Sequence, residues 1–452
     1  MGACPRKRGT GLPAGPPPTE SDRACPIPTP MVGVPGCRRH PWRSGLVVRL
    51  VPPAFLATLY GMHRLRPKIA LLSLTLLLVG CIDDSDSPTS SSTTSGPQSY
   101  GTFAAWAQSE SATLSLPGDT NLASSDVAAR WDSVVNFGKY ASQARADLRK
   151  IAADWASRSP RAQGWTVVTS TTDTAGTLYL VRFSVEGVSQ GGLVWVPPTQ
   201  GPLPLILFGH PADEGIDDSY ASTLLDFLGT ARSRTIVVVP AYRGEPASLG
   251  DSLVASERSA QSPWDQDVDD GLAMLRAAAK AFPQADTTRI AAVGYSRGAG
   301  TSLLSALRDP KIGSVFEIAG PADFFAPSIQ RIAMGLRKGQ SYSLPGLDII
   351  NARLLEPFWQ RTISADSLRR ELLERSAGRL ALSGLLPTTE VVFGTADTTV
   401  YPDQSKALLE ADSRVAYDSI SGMAHSSFLE HPFQALVISN HLESFLSAHL
   451  LK

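Results

Sequence analysis

The stretch Arg289-Ile-Ala-Ala-Val-Gly-Tyr-Ser-Arg-Gly-Ala-Gly300 constrains this chain more than any other. A short apolar strand runs directly into Gly294-Tyr295-Ser296-Arg297-Gly298, and small residues suited to close helix packing follow. A G-x-S-x-G turn between strand and helix lifts its serine clear of the sheet edge, in a backbone conformation that most residues avoid. The dipole of the following helix favours negative charge beside that hydroxyl. Such a turn needs a sheet buried on both faces, which restricts the rest of the chain.

The flanking sequence meets that requirement. Apolar runs at Leu203–Phe208, Thr235–Val239, Arg289–Val293, Ser314–Ile318 and Glu390–Phe393, with a weaker one at Tyr417–Ile420, alternate with helical stretches. Continuous short apolar strands separated by helices predict a mostly parallel sheet with helices on both faces. Helices are expected at 147–158, at 267–281 behind a cluster of Asp residues, at 300–308 and at 432–450. Residues 165–196 alternate β-branched and aromatic residues between turn signals, which predicts two or three antiparallel strands. Between the fourth and fifth parallel strands, residues 326–386 contain helical segments and no strand. An insertion there either caps the carboxyl edge of the sheet, where ligands bind in such folds, or only decorates it.

A serine nucleophile needs a base and an acid to orient that base, in the chain order Ser, then Asp or Glu, then His. His425 stands in a loop of small residues after the last strand, whereas His431, His441 and His449 belong to the closing helix or its start. His425 is therefore the expected base, with His431 as the fallback. Asp397 follows the fifth parallel strand and is the expected acid; Asp323, after the fourth, is the alternative, and Asp403 reads as a helix N-cap.

The amino-terminal region has a different character. Residues 1–81 carry 11 Lys and Arg against two acids, while residues 82–452 carry 30 against 40. The folded part is thus acidic, which excludes a basic nucleic-acid footprint there. Met62 begins a segment with Arg64, Arg66 and Lys68, an apolar run from Ile69 to Val79, then Leu78-Val79-Gly80-Cys81. The run is too short to span a bilayer but has the length of a signal-peptide core, and its end resembles the lipobox of bacterial lipoproteins. The expected organisation is an upstream extension over 1–61 with Met62 as the true start, and a signal peptide over 62–80. A lipidated Cys81 heading a polar tether to residue 98 follows, and then a catalytic domain over 99–452. Cys81 would carry diacylglyceryl and amide-linked acyl chains, holding the domain at the cell envelope, periplasmic or outer-membrane. The four cysteines are Cys4, Cys25, Cys37 and Cys81, so a disulfide or thiolate-metal site in the domain is impossible. No His/Asp cluster stands at metal-ligand spacing, and no cofactor is expected.

Four segments resemble the catalytic domain of the prolyl oligopeptidase family and the broader dienelactone-hydrolase-like serine hydrolases of the α/β-hydrolase superfamily. They are Pro240-Ala-Tyr-Arg-Gly244, Trp264-Asp-Gln-Asp-Val-Asp-Asp270, the serine turn, and Gly394–Gln404 taken with His425. The resemblance spans roughly residues 200–445. It implies an α/β-hydrolase fold and an oxyanion hole from the backbone N–H of Arg297 together with a donor in the loop Phe208–Asp213. His210 supplies that donor by position; Pro211 has no N–H, and Ala212 is next. Some family members use a Tyr hydroxyl where this chain has Phe208. The family's peptidases usually carry a β-propeller before the hydrolase domain. About 100 residues between the tether and the first parallel strand leave no room for four blades of about 40 residues. The expected activity is hydrolysis of a small-molecule ester or a short peptide through an acyl-enzyme; the alternative is a catalytically silent binding protein on the same fold.

Overall fold

In the computed structural model, the described residues are 100–116, 126–427 and 431–452. The 1–61 extension, the signal segment, Cys81 and the tether lie outside them. The antiparallel segment forms three strands, β1 (Gln163–Thr172), β2 (Thr177–Val185) and β3 (Val188–Val196). The apolar runs that follow become β4 (Leu203–Gly209), β5 (Ile236–Pro240), β8 (Ala285–Tyr295), β9 (Ile312–Ile318), β10 (Thr388–Gly394) and β11 (Ala416–Ile420). A short hairpin, β6 (Ala247–Leu249) and β7 (Ser252–Val254), stands apart. It has no clear signal in the sequence.

The main sheet has nine strands in the order β1-β2-β3-β5-β4-β8-β9-β10-β11. Pairing is antiparallel from β1 to β5 and parallel from β5 through β4 and β8 to β11. This is an α/β-hydrolase fold. From β4 the chain moves one way to β5 and then crosses back to β8, so the carboxyl ends of β4 and β8 lie side by side where the strand order reverses. Ligands of open α/β sheets bind at such a switch point.

One face of the sheet packs under the helices Ala141–Ser157, Gln266–Ala281 and Arg297–Arg308, and the other under Asp218–Phe227 and Pro432–His449. Two helices begin earlier than their periodicity predicts. The first starts at Ala141, where Ala144 reaches the core through a segment otherwise too polar to show a stripe. The second starts at Arg297, directly on the serine. There Gly298 and Gly300 lower helix propensity, and burial against the sheet overrides it.

The acids that open Gln266–Ala281 do more than complement a helix dipole. Asp270 takes two hydrogen bonds from Arg243, at 2.8 and 2.6 Å, and Asp267 pairs with Arg297 at 2.7 Å. Asp265 and Asp269 hold Arg158 and Arg308. All four carboxylates are buried, so these pairs tie the helix to its neighbours and satisfy charges that could not otherwise be buried.

The insertion between β9 and β10, residues 326–386, is a series of helices joined by loops, from Pro327–Arg337 to Ala377–Leu380, with no strand. It is fixed to the sheet edge by a buried pair, Arg379 with Asp323, whose carboxylate it grips through Nε and Nη2 at 2.9 to 3.1 Å.

Candidate active site

Three glycines and one strained serine build the turn at the centre of the sheet. Ser296 has φ +54° and ψ −124°, a region costly for any residue with a side chain. Its N–H donates to Ile318 O at 2.8 Å, locking the turn to β9. The glycines around it provide clearance instead of unusual dihedrals. A Cβ on Gly298 would lie 2.0 Å from Gly209 O, and one on Gly294 would lie 2.3 Å from Gly298 O. Only bare backbone lets the ends of β4 and β8 and the helix start converge.

The structure brings the three predicted side chains together. His425 Nε2 lies 2.8 Å from Ser296 Oγ, and His425 Nδ1 lies 2.7 Å from Asp397 Oδ2. Asp397 is buried, and its Oδ1 accepts the N–H groups of Thr399 and Val400, both at 2.9 Å. That leaves Oδ2 for Nδ1–H and sets the tautomer in which Nε2 accepts the serine proton. The loops carrying the acid and the base are bonded to each other: Ala396 N–H donates to Met423 O at 3.0 Å, and Gly422 N–H to Thr395 Oγ1 at 2.9 Å. A Cβ on Gly394 would meet Met423 O at 2.1 Å, so the glycine ending β10 permits that contact.

The alternatives are engaged elsewhere. Asp323 is held by Arg379. Asp403 does not cap its own helix, where Tyr401 occupies the N-cap. It accepts Ser328 N–H and Oγ–H, at 2.7 and 2.6 Å, at the start of the helix Pro327–Arg337. His431 is the N-cap residue of the last helix, His441 lies between Glu390 and Asp418, and His449 packs on Phe445.

Arg297 is the first residue of its helix, where a backbone N–H has no intrahelical acceptor. Its buried guanidinium pairs with Glu245 at 2.6 Å and Asp267 at 2.7 Å, donates to Ala212 O, and lies over the Tyr242 ring. Burial pushes the Glu245 carboxyl up to about 7 against the pull of Arg297. His210 leaves the sheet level with the turn, because the β4–β8 register pairs Gly209 with Gly294. Its ring is buried and stacks on Tyr242 at 4.0 Å, and its Nδ1–H donates to Pro211 O at 2.9 Å. Burial depresses the imidazole to about 3, so the ring is neutral and its 3.9 Å approach to Glu245 is no ion pair. Tyr242 donates its hydroxyl to His210 O. The carbonyls of 210, 211 and 212 are therefore all held inward, which fixes the loop after β4.

Sequence reading missed several contributors. Tyr295 donates its hydroxyl to His425 O and stacks on the imidazole, with ring centroids 5.4 Å apart. Glu317 lies buried near Asp397, its Oε1 accepting Gly320 N–H. Burial pushes this carboxyl up to about 8, opposed by the Gly320 N–H and reinforced by the charge of Asp397. An acid inside the apolar run Ser-Val-Phe-Glu-Ile was the available signal. Trp131, which lines the cavity beside Ser296 from a helix preceding the sheet, had none.

No protein-family model matches the chain, and no curated relative matches it. Among solved structures, acetyl xylan esterase 1 from Thermoanaerobacterium sp. JW/SL YS485 is similar at 18% identity and a TM-score of 0.44, over 68% of this chain and 93% of that one. An S-formylglutathione hydrolase from Agrobacterium tumefaciens is similar at 14% identity and a TM-score of 0.44, over 63% and 99%. A puromycin-hydrolyzing peptidase from Mycobacterium tuberculosis is similar at 18% identity and a TM-score of 0.42, over 63% and 47%.

Proposed function

We propose that this chain is a serine hydrolase that cleaves esters or short peptide bonds through an acyl-enzyme, anchored at the cell envelope by lipid on Cys81. The single observation that carries the catalytic reading is the unbroken chain Ser296 Oγ to His425 Nε2 and Nδ1 to Asp397, at 2.8 and 2.7 Å. Side chains 101 and 28 residues apart meet there in the order and geometry that acyl transfer needs.

In the proposed reaction, Ser296 Oγ attacks the acyl carbon while its proton passes to His425 Nε2. The oxyanion is stabilised by the Arg297 N–H at the helix start and by a backbone donor in the loop at His210. The C–O or C–N bond to the leaving group breaks as the imidazolium returns the proton to it. Water, deprotonated by the same Nε2, then displaces Ser296 from the acyl group. Asp397 keeps its charge beside the imidazolium throughout.

Ser296→Ala should abolish covalent labelling by a fluorophosphonate probe while leaving the circular dichroism spectrum unchanged. Persistent labelling would overturn the assignment. Unlabelled wild-type protein would favour the silent binding protein instead.

A further inference from the structure

Ser296 opens on a cavity walled largely by the helical insertion, with Ile329 and Ile332 from its first helix and Leu347 and Ile350 from its second, and by Trp131 from an amino-terminal helix. Among the described residues Arg297 is the one charged side chain that lines it, and that charge is already held by Glu245 and Asp267. Two polar side chains of its lining, Gln404 and Ser328, are also engaged. Gln404 Oε1 accepts the N–H groups of Ala322 and Asp323, and its Nε2 donates to Ser328 Oγ. Among the described residues the cavity thus has no acid to hold an α-amino group and no free cation to hold a carboxylate or phosphate.

The cavity touches Ser296 and Arg297, but His425 does not line it. This asymmetry decides which half of a substrate enters. A leaving group takes its proton from His425 Nε2 and must lie on the imidazole side. The acyl group is therefore left to the space beside Ser296 that the imidazole does not line, and this cavity provides it. Resting on the serine-hydrolase reading above, we propose that this cavity is an acyl-chain site. The preferred substrates then carry an uncharged apolar acyl group of several carbons, and the helical insertion is the element that selects it.

The test uses p-nitrophenyl esters of straight-chain acids from acetyl to octanoyl, beside acetyl esters of graded alcohols. Each methylene moved from water onto the apolar wall contributes roughly fourfold. In the wild type kcat/KM should rise on the order of 100-fold from acetyl to hexanoyl, and vary much less across the alcohol series. Ile329 is half-buried at the wall. Ile329→Trp should lower the octanoyl-to-acetyl ratio by roughly tenfold or more, and Ile329→Ala should move the optimum to longer acids. A flat acyl series, a preference set by the alcohol, or ratios unmoved in both variants would overturn the proposal. Labelling of Ser296 by a methyl-substituted fluorophosphonate separates the two levels. If labelling holds, such results refute the acyl-chain site alone; if the wild type does not label, both readings fall.

Discussion

Replacing Glu317 with Gln tests how the sheet edge beneath Asp397 is held. The carboxyl is 1% exposed, and its Oε2 has no hydrogen-bond partner among the described residues. Burial, reinforced by Asp397, raises it to about 8 from 4.5. An acid whose value is higher folded than unfolded binds more protons in the native state. Its contribution to stability is complete below 4.5 and is lost as pH rises through 8. At about 1.4 kcal/mol per unit, the loss reaches about 5 kcal/mol at most. Relaxation and water entry around a buried carboxylate reduce that to about 2 kcal/mol or more. Glutamine has nearly the same shape, keeps an acceptor for Gly320 N–H, and does not titrate. Urea unfolding of both proteins, followed by tryptophan fluorescence across this window, isolates the effect, because groups common to both cancel in the difference. The variant and the wild type should be within about 1 kcal/mol of each other below the unfolded-state value. The variant should then gain steadily, to about 2–5 kcal/mol above pH 8. A difference that stays constant with pH, or favours the wild type as pH rises, would show that Glu317 is ionised and paired, and would refute the reasoning.

Asp397→Asn should lower kcat on an activated ester by about 10³–10⁴-fold with little change in KM, since the amide favours the wrong imidazole tautomer; steady-state kinetics check this. Gly298→Ala places a Cβ 2.0 Å from the Gly209 carbonyl oxygen, where only backbone can yield. It should cost about 3 kcal/mol, read as a lower urea midpoint. Arg379→Met strands the buried Asp323 carboxylate and should cost about 3–5 kcal/mol, whereas Arg379→Met with Asp323→Leu should recover most of it. Equal losses in the single and double variants would show that the pair does not fix the insertion.

The six parallel strands, the serine turn and the loops that carry Asp397 and His425 were all legible in the sequence, because each rests on local chemistry. Apolar runs of strand length, a glycine on either side of Ser296 and small residues around His425 act within a few residues of themselves. The helix that starts at Arg297 shows the limit of that reasoning. Its glycines read as poor helix formers, and only burial against β4 and β8 makes the helix begin directly on the serine.

Pairing partners belong to a different level. The Asp cluster at residues 265–270 could be placed at a helix start from sequence. That Asp267 would hold Arg297, and Asp270 hold Arg243, depends on which buried charges end up adjacent. Asp323 was the alternative acid by position, and Arg379, 56 positions on, occupies it. Trp131 gives no local sign of reaching the cavity, because its role comes from the packing of the insertion against the amino-terminal helices. Sequence by itself thus determined the chemistry available at the sheet edge, since turn and strand preferences are short-range. Tertiary structure decided which charges are neutralised, which carboxylate bonds His425 and what lines the space beside Ser296. Those outcomes follow from desolvation and close packing, which act between residues that only the fold makes neighbours.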